Sequence, residues 1–590
     1  MCDEGKKQLI QKRSYRIDLI KAVCIIAVVL YHFGFLPKGY LGVDVFFVIA
    51  GYFMMNSYLK QKEENSYSYI KSTMNHIMRF WPLILIVVAV CLAVGFFTML
   101  PDDFENLSES AVASNVFANN ILSAITTRNY WNTSNDFKPL MHLWYIGVLA
   151  QGYILLPLVF LLFDKINRKA LIASVISLTF LSLFLCFLPF FSAGAKFYYL
   201  PFRIYELTLG SCVCFVKKKI IKDNISTVLQ IICFCLLITI FVTSIPLETL
   251  FYQLVSVSLG ALLLYLCKTS KEYDCVPLSI VSKIGKASFS VYLVHQPVIA
   301  FTRYLFTSSF TFWVFALDSF IIIALTIPFY LIGELKVNIL LKTNFIKSIA
   351  ITASSFLALT AISGFYYIKA GVVRDVPEMD IEVGKAHRGM HAEYVDVPYS
   401  WNKDFQNDDR IKILVIGDSL ARDWCNVLNE SKNSSEYEIS YSYTNNTEID
   451  DSALIKVEQA DYVFFATIGD STLFTNQIKN KNNFYVIGIK KYGDTNGQVY
   501  QKRFKKDYYD TYVAPGFSSE LRKSILDQNK EQKDYWNEKY IDLISPVQNA
   551  ENKVRVFTDT NKFISSDTIH FTKNGAIYYS KILDLSFISK

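Results

Sequence analysis

Residues 16–58 read RIDLIKAVCIIAVVLYHFGFLPKGYLGVDVFFVIAGYFMMNSY and decide the fold of the first part of the chain. Two long apolar runs are joined by a Pro-Lys-Gly turn, and ionisable side chains lie inside both runs. Lys21 and His32 fall near the same face of a helix, roughly 16 Å apart along its axis. Because an ionisable group in hydrocarbon costs roughly 2.5 kcal/mol or more, such groups indicate function. The alternative is that Lys21 snorkels to one membrane interface while His32 lies at the other.

The composition is too apolar for an ordinary soluble protein. The 590 residues are 52% hydrophobic and 15% aromatic, and the mean hydropathy is +0.27. The apolar runs lie between residues 17 and 369, whereas residues 370–590 are polar and charged. The net charge of +7 does not indicate nucleic-acid binding, because much of the Lys and Arg lies in short loops between apolar runs. No Cys/His spacing indicates a metal site.

The apolar runs predict a multi-pass protein embedded in a lipid bilayer. We count eleven candidate spans, at approximately 17–34, 39–58, 80–100, 143–163, 171–191, 197–216, 228–245, 250–267, 288–306, 311–333 and 347–369. If the N-terminus is cytoplasmic, the loops on that side are rich in Lys and Arg, and the opposite loops are poor in them. We therefore expect a protein of the cell (inner or cytoplasmic) membrane with a cytoplasmic N-terminus. An odd number of spans then places the C-terminal region outside the cytoplasm.

The pattern changes after the last apolar run. From Ile411, short β-branched runs such as ILVIGDS and DYVFFATIGD alternate with helical stretches, which predicts an α/β domain with a parallel sheet. The predicted division is a multi-span α-helical membrane domain (1–346), an additional transmembrane helix (347–369), a linker (370–410) and the extracytoplasmic α/β domain (411–590).

Two motifs of the α/β domain carry chemistry. IGDSLARDW places Ser419 directly after a strand and at the start of a helix, where backbone amides can bind a developing oxyanion. SSDTIHFTKNG places Asp567 three residues before His570, so the carboxylate can orient the imidazole while its other nitrogen faces a serine. A Gly-Asp-Ser tripeptide is a weak signal alone, but together with a late Asp-x-x-His it indicates a serine nucleophile.

The membrane part resembles a known family. The motifs that carry the resemblance are DLIKAVCIIAVVLYH, GYLGVDVFFVIAGYFM, the RFWP of residues 79–82, MHLWYIGVLAQGYILLP, YLPFRIYELTLG and IGKASFSVYLVHQP. They are similar to the acyltransferase-3 family of membrane O-acyltransferases, which acylate extracytoplasmic glycans. The resemblance extends to about Glu334 and so covers nearly the whole membrane region.

The resemblance implies roles for several intramembrane residues. Lys21 and His32 become the leading candidates for handling the acyl group, because an imidazole can move a proton or carry an acyl group and a cation can stabilise an oxyanion. Asp44 is expected either to orient His32 or to neutralise a buried lysine. The further candidates match family positions, each with a packing role as its alternative; they are His142, His295, and the pair Arg203 and Glu206, which is otherwise a structural ion pair.

The sequence also departs from the family pattern. Lys21 stands where the family usually has arginine, so charge is kept but bidentate geometry is lost. Leu149 and Ala150 occupy the places of a frequent glutamate pair, and Ala50 stands where a serine is common. These departures indicate a divergent branch.

Residues 411–585 resemble the SGNH hydrolase family, named for its Ser, Gly, Asn and His. Ser419, Asp567 and His570 match its nucleophile, orienting acid and general base. Its oxyanion donors are less well matched. Gly469 follows a strand where a Gly-x-Asn-Asp block is expected, but the asparagine is missing, and Asn496 is the alternative donor.

The two resemblances together imply an O-acyltransferase, foremost an O-acetyltransferase. The expected donor is a cytoplasmic acyl-CoA such as acetyl-CoA, with no permanently bound cofactor and no metal. The expected acceptor is an extracytoplasmic glycan: O-antigen, capsule or peptidoglycan. Two alternatives stay open: a membrane-tethered carbohydrate esterase, and a non-enzymatic transporter or flippase of acylated glycans.

Overall fold

The structure, a computed structural model, comprises two compact units. It describes residues 15–126, 135–217, 221–269, 276–335, 344–406, 409–444, 449–467, 482–518 and 523–589. The first unit contains residues up to 94, together with 107–303 and 309–364. The second unit contains residues 95–106, 304–308 and everything from 365 onward.

The chain up to residue 368 is helical in its described parts. Its α-helices are Tyr15–His32 (α1), Gly42–Glu63 (α2), Tyr69–Met78 (α3), Trp81–Thr98 (α4), Pro101–Asn115 (α5), Asn119–Thr126 (α6), Trp144–Asp164 (α7), Arg168–Phe187 (α8), Ala193–Tyr198 (α9), Ile204–Phe215 (α10), Asp223–Val242 (α11), Thr249–Thr269 (α12), Val276–Lys286 (α13), Ser288–Leu305 (α14), Phe312–Pro328 (α15) and Phe345–Ile368 (α16). A π-helical turn, Phe329–Leu335, follows α15.

Eight helical segments among the described residues are long and apolar enough to cross a membrane. They are Gly39–Glu63, Tyr69–Thr98, Met141–Asp164, Arg168–Phe187, Asp223–Val242, Thr249–Lys268, Phe312–Leu335 and Phe345–Ile368. The predicted multi-span helical membrane domain is therefore confirmed, although the count of eleven crossings stays a prediction.

The other three predicted spans are helical but shorter or more polar. The span 197–216 is broken, because a 3-10 turn at Leu200–Phe202 separates α9 from the 12-residue α10. The other two are α1 and α14. All three regions carry candidate site residues.

Close backbone contact between α2 and α10 organises the first unit. A Cβ added to Gly51 would lie 1.8 Å from the Leu207 carbonyl oxygen, and one added to Gly210 would lie 1.9 Å from the Val48 oxygen. Ser211 Oγ donates a hydrogen bond across the crossing to the Gly51 oxygen at 3.1 Å. Small residues allow such an approach between membrane helices. The crossing places side chains of α2 beside those at the start of α10.

The second unit contains the predicted parallel sheet. Its strands are Ile411–Gly417 (β1), Tyr437–Tyr443 (β2), Tyr462–Ala466 (β3), Phe484–Ile487 (β4), Tyr512–Val513 (β5), Phe517–Ser518 (β6), Lys523–Ser524 (β7), Tyr540–Ile541 (β8) and Val554–Arg555 (β9). Its helices are Ser419–Asn429 (α17), Asp451–Gln459 (α18), Asn496–Tyr500 (α19), Ile525–Trp536 (α20) and Lys573–Ile582 (α21). The central sheet has the order β2-β1-β3-β4-β8, and all of its pairs are parallel.

This strand order is the flavodoxin-like order 2-1-3-4-5, so the predicted α/β fold class is confirmed. In such sheets ligands bind at the carboxyl ends of the strands, where the strand order reverses. Here the reversal falls between β1 and β3. The motif with Ser419 follows β1 and therefore lies at this position.

Part of the predicted linker, 370–410, is packed into an apolar core. Val372, Val376 and Ile381 are buried in an apolar cluster of the second unit together with Leu100. Composition predicted a linker because charged residues are frequent here. Several of the apolar side chains between them are nevertheless spaced so that they pack on one core.

Candidate active site

Ser419 is positioned by a sharp turn from strand to helix. β1 ends at Gly417, whose φ of +141° favours glycine, and a Cβ there would lie 1.8 Å from the Ala466 carbonyl oxygen of β3. Asp418 caps the helix that follows, since its Oδ1 accepts a hydrogen bond from the Leu420 amide at 2.9 Å. Ser419 is therefore the first residue of α17, at the carboxyl edge of the sheet.

Asp567 and His570 lie in a tight loop rather than in a helix. Asp567 Oδ1 accepts from the amides of Ile569 (3.0 Å) and His570 (2.8 Å), and its Oδ2 lies 2.6 Å from His570 Nδ1. Burial alone raises the pKa of Asp567, but His570 and the two amides outweigh burial and lower that pKa to about 2. The carboxylate is thus charged and fixed against the imidazole. Between them, Thr568 has a φ of +79°, a strained conformation for a β-branched residue.

The structure brings the three predicted residues of the second unit together. His570 Nε2 lies 2.8 Å from Ser419 Oγ, and both side chains are largely buried. The Asp567 carboxylate holds the proton of His570 on Nδ1, so Nε2 accepts the hydrogen bond from the serine hydroxyl. This is the geometry in which an imidazole removes the proton of a serine nucleophile.

The two predicted oxyanion donors have different outcomes. Gly469 lies outside the described residues. Asn496 does not have the predicted geometry, because its Nδ2 donates to the carbonyl oxygens of Ser565 and Ser566, each at 2.9 Å. These bonds engage both N–H groups of the amide. Asn496 therefore anchors the backbone just before Asp567.

A buried ion pair beside the triad was not predicted. Asp423, one helical turn after Ser419, lies 2.7 Å from Lys490 Nζ, and each side chain is 1% exposed. Burial alone raises the pKa of Asp423, but Lys490, His570 and Arg422 together lower it. The spacing of four residues after Ser419 was a signal that Asp423 shares its helix face, whereas nothing in the sequence pointed to Lys490.

A third acidic group lies near the triad. Burial raises the pKa of Asp102, and the Asp567 carboxylate adds to this, while His391 and His570 offset part of the rise. Asp102, Glu105 and His391 have potential ligand atoms within 4.8 Å of one another. His391 Nε2, however, lies 2.8 Å from the Ala370 carbonyl oxygen, where it donates a hydrogen bond and cannot ligate a metal.

In the first unit, Lys21 lies in the second turn of α1 and His32 at its last position. Lys21 Nζ is 3.7 Å from Asp18 Oδ1 and 5.3 Å from the centre of the Phe53 ring, with its side chain 20% exposed. His32 is buried at the last position of the helix. The structure does not bring the two into contact.

His32 instead lies among the other two predicted histidines. Its ring centre is 5.2 Å from that of His295, which lies 5.5 Å from His142. His295 Nδ1 donates to the Tyr292 carbonyl oxygen at 2.7 Å, so its Nε2 carries the lone pair. Among the described residues, neither His295 Nε2 nor His32 Nδ1 has a hydrogen-bond partner. The three buried imidazoles thus form one cluster.

Asp44 contacts neither of its two predicted partners. Its Oδ1 accepts from Arg203 at 3.1 Å, and Glu206 Oε1 accepts from the same guanidinium nitrogen at 2.7 Å. The expectation that Asp44 orients His32 or neutralises a lysine is wrong, because the glycine-mediated crossing of α2 and α10 places Arg203 beside it. Arg203 and Glu206 form the predicted pair, now joined by a second carboxylate.

The fold and these sites define a helical membrane protein with a serine-type triad in an α/β unit. Comparison of the sequence with known protein families identifies the family. Residues 14–335 match the acyltransferase-3 family, described as an acyltransferase domain, and this is more than half of the chain. The chain belongs to the acyltransferase-3 family.

Curated relatives match about half of the chain. A peptidoglycan O-acetyltransferase OatA of Listeria monocytogenes is 29% identical over 312 residues, which are 48% of this chain and 49% of the relative. An O-acetyltransferase OatA of Staphylococcus aureus is 27% identical over 325 residues, 49% of this chain and 51% of the relative. A putative membrane-bound transacylase BcsY of Komagataeibacter xylinus is 25% identical over 300 residues, 50% of this chain and 75% of the relative.

The chain thus spans about half the length of the first two relatives. No solved structure matches it. The resemblance of the second unit to SGNH hydrolases stays a prediction.

Proposed function

We propose that this protein is a membrane O-acetyltransferase that modifies a cell-surface glycan. Membership of the acyltransferase-3 family supports acyl transfer. Two relatives are named O-acetyltransferases, and one name specifies peptidoglycan, which supports an acetyl group and a cell-wall glycan such as peptidoglycan as acceptor. The donor in this proposal is a cytoplasmic acyl-CoA.

Ser419 is the proposed relay residue for the acetyl group. The observation that carries this step is the line of hydrogen bonds from Asp567 through His570 to Ser419 Oγ. As Oγ bonds to the acyl carbon, the bond from that carbon to the group that delivered it, the CoA sulfur or the His32 imidazole, breaks. His570 Nε2 accepts the hydroxyl proton and passes it to this leaving group. The product is an ester on Ser419.

The second transfer returns the serine to its starting state. A glycan hydroxyl attacks the ester carbon while His570 accepts the hydroxyl proton. The bond from the acyl carbon to Oγ then breaks, and Oγ recovers the proton from His570. Asp567 stays charged throughout and stabilises the imidazolium that forms in each transfer.

The membrane unit supplies the acetyl group in this proposal. His32 carries or activates the acyl group, since its buried ring lies beside that of His295 and its Nδ1 has no partner among the described residues. Lys21, in the second turn of α1, contacts the donor on the cytoplasmic side, where its ammonium group can meet the phosphates of a nucleotide.

Substitution of the nucleophile tests the relay. Ser419→Ala should abolish O-acetylation of the surface glycan, measured by NMR of the purified polymer. Ser431→Ala is a matched control, because Ser431 is also a buried serine of the second unit, and its Oγ donates to the Leu428 carbonyl oxygen at 2.6 Å. Unchanged acetyl content in Ser419→Ala would contradict the serine relay while leaving the membrane reaction possible.

A membrane-tethered esterase is the second candidate, and the triad itself favours it. The same Ser419, His570 and Asp567 would hydrolyse an ester if water replaced the glycan hydroxyl. The two functions differ in the sign of the effect: loss of Ser419 lowers glycan acetylation for a transferase and raises it for an esterase.

A further inference from the structure

The ion pair of Asp423 and Lys490 is the most deeply buried charge pair that the structure describes in the second unit. Both side chains are 1% exposed and 2.7 Å apart. Arg422 adds a longer contact of 3.3 Å to the other oxygen of Asp423. Removing charges from water costs several kcal/mol per ion, and a buried pair often contributes little net stability. Its place beside the triad therefore calls for a role other than stability.

Asp423 also binds the loop that carries His570. Its Oδ2, the oxygen that pairs with Lys490, accepts a hydrogen bond from the Phe571 amide at 2.9 Å. The Lys490 ammonium lies 4.2 Å from the centre of the Phe571 ring. The pair therefore holds Phe571, the residue directly after His570, by its backbone and by its ring.

The same carboxylate belongs to the helix that carries the nucleophile. Asp423 is four residues after Ser419 in α17, so both face the same side, one turn apart. The hydrogen bond from Phe571 thus ties the helix of Ser419 to the loop of His570. Any movement of this helix relative to the loop would change the 2.8 Å distance from Ser419 Oγ to His570 Nε2.

The loop needs such restraint because it is strained. Thr568, between Asp567 and His570, has a φ of +79°, and strained residues persist only where the surroundings hold them. Asn496 holds the carbonyl oxygens before Asp567, and the Tyr492 amide donates to the Thr568 oxygen at 2.7 Å. Asp423 supplies the restraint on the far side of His570.

We propose that Asp423, held in place by Lys490, is the positioning residue that sets the hydrogen bond between Ser419 and His570. This inference rests on the proposed serine relay and deepens it. Asp423 does not touch the acyl group. It acts through the hydrogen bond from the Phe571 amide.

Two double variants separate positioning from simple charge pairing. Asp423→Asn with Lys490→Met removes both charges but keeps a side-chain oxygen for the Phe571 amide. Asp423→Leu with Lys490→Met removes both charges and the acceptor. The full-length protein in membranes is treated with a fluorophosphonate probe, and the rate of covalent labelling at Ser419 is measured by mass spectrometry per amount of folded protein.

We expect the Asn/Met variant to label within about threefold of the wild-type rate and the Leu/Met variant to be at least about tenfold slower, because small misplacements of reacting groups have effects of that size. The loss should fall on the maximal labelling rate and leave the half-saturating probe concentration unchanged. Lys456→Met is the control, since Lys456 is another buried lysine of this unit and pairs with Asn402 at 2.7 Å; it should label as the wild type does.

If the Leu/Met variant does not fold, Asp423→Glu gives the same information. It keeps the charge and the pairing with Lys490 but moves the carboxylate by one methylene. If Asp423 is a positioning residue, labelling should be slower; if it is only part of an ion pair, the labelling rate should not change. Equal labelling of all variants would overturn the positioning role and leave the relay standing. A wild-type protein that is not labelled at Ser419 would overturn both.

Discussion

His570 Nε2 lies 2.8 Å from Ser419 Oγ, although 151 positions separate the two residues in the chain. β1 and its glycine turn deliver the serine, and a strained loop near the C-terminus delivers the histidine. Both elements belong to the second unit, so the contact does not depend on how the membrane helices are arranged. The proposed relay rests on this contact.

The charge of Asp567 predicts how the second unit responds to acid. Its pKa falls from an ordinary 3.8 to about 2 in the folded protein, so the folded state binds the proton less readily than the unfolded state. The carboxylate therefore contributes about 2 kcal/mol to the free energy of unfolding above pH 4, and this contribution is lost as the pH falls through about 2.

Asp567→Asn removes that contribution. Thermal unfolding of the second unit is followed between pH 6 and pH 2.5. The difference in the free energy of unfolding between wild type and variant should have its full size above pH 4 and shrink below it. Asp559→Asn, at an exposed ion pair with Arg555, is the control and should show no such difference. A difference between wild type and Asp567→Asn that is constant across this range would contradict the lowered pKa.

Gly417 allows the turn that presents Ser419. Gly417→Ala combines a φ of +141° with a Cβ only 1.8 Å from the Ala466 oxygen, so we expect a loss of at least about 3 kcal/mol in the stability of the second unit. Gly384→Ala, where a Cβ meets nothing within 4 Å, is the matched control. Limited proteolysis measures both, and equal resistance of the two variants would show that the turn is not required.

The charges on Arg203, Asp44 and Glu206 predict unequal effects of substitution in the first unit. Two buried carboxylates share one guanidinium, and their second oxygens have no hydrogen-bond partner among the described residues. Arg203→Met leaves both acids without a cation and should cost about 3–5 kcal/mol, whereas Glu206→Gln keeps the pair of Arg203 with Asp44. The yield of folded protein in membranes should therefore fall for the first variant only. Equal yields would contradict this charge balance.

Substitutions of Lys21 test whether a positive charge in the second turn of α1 is required for glycan acetylation. Its ammonium lies near Asp18 and above the Phe53 ring, in a place that an arginine can also fill. Lys21→Arg should keep glycan acetylation, and Lys21→Ala should lower it at least about tenfold if the cation contacts the donor or its carbonyl oxygen. If neither substitution changes acetylation, Lys21 has a packing role alone.

Local patterns in the sequence predicted the elements of the fold well. The run ILVIGDS forms β1 and leads into α17, and every predicted span contains a helix. The break at Leu200–Phe202 was missed because averaged hydropathy does not register a single proline in YLPFR. The packing of residues 370–386 was missed because a core formed by a few spaced apolar residues leaves no mark in composition.

Contacts between distant residues account for what the sequence could not predict at the sites. Ser419, Asp567 and His570 each follow a recognisable local pattern. The pairing of Asp44 with Arg203 instead depends on the crossing at Gly51 and Gly210. That of Asp423 with Lys490 depends on the contact of the segment after β4 with α17. The spacing of these residues along the chain does not predict their contacts.

One measurement tests the central claim most directly. Membranes that contain the full-length protein are supplied with acetyl-CoA labelled in the acetyl group, the reaction is stopped with acid, and the peptides are analysed by mass spectrometry. The account predicts a labelled acetyl ester on Ser419 that disappears when a glycan acceptor is added and accumulates with time when it is absent. Labelled glycan formed at the wild-type rate by Ser419→Ala protein, with no ester on the wild-type serine, would contradict it.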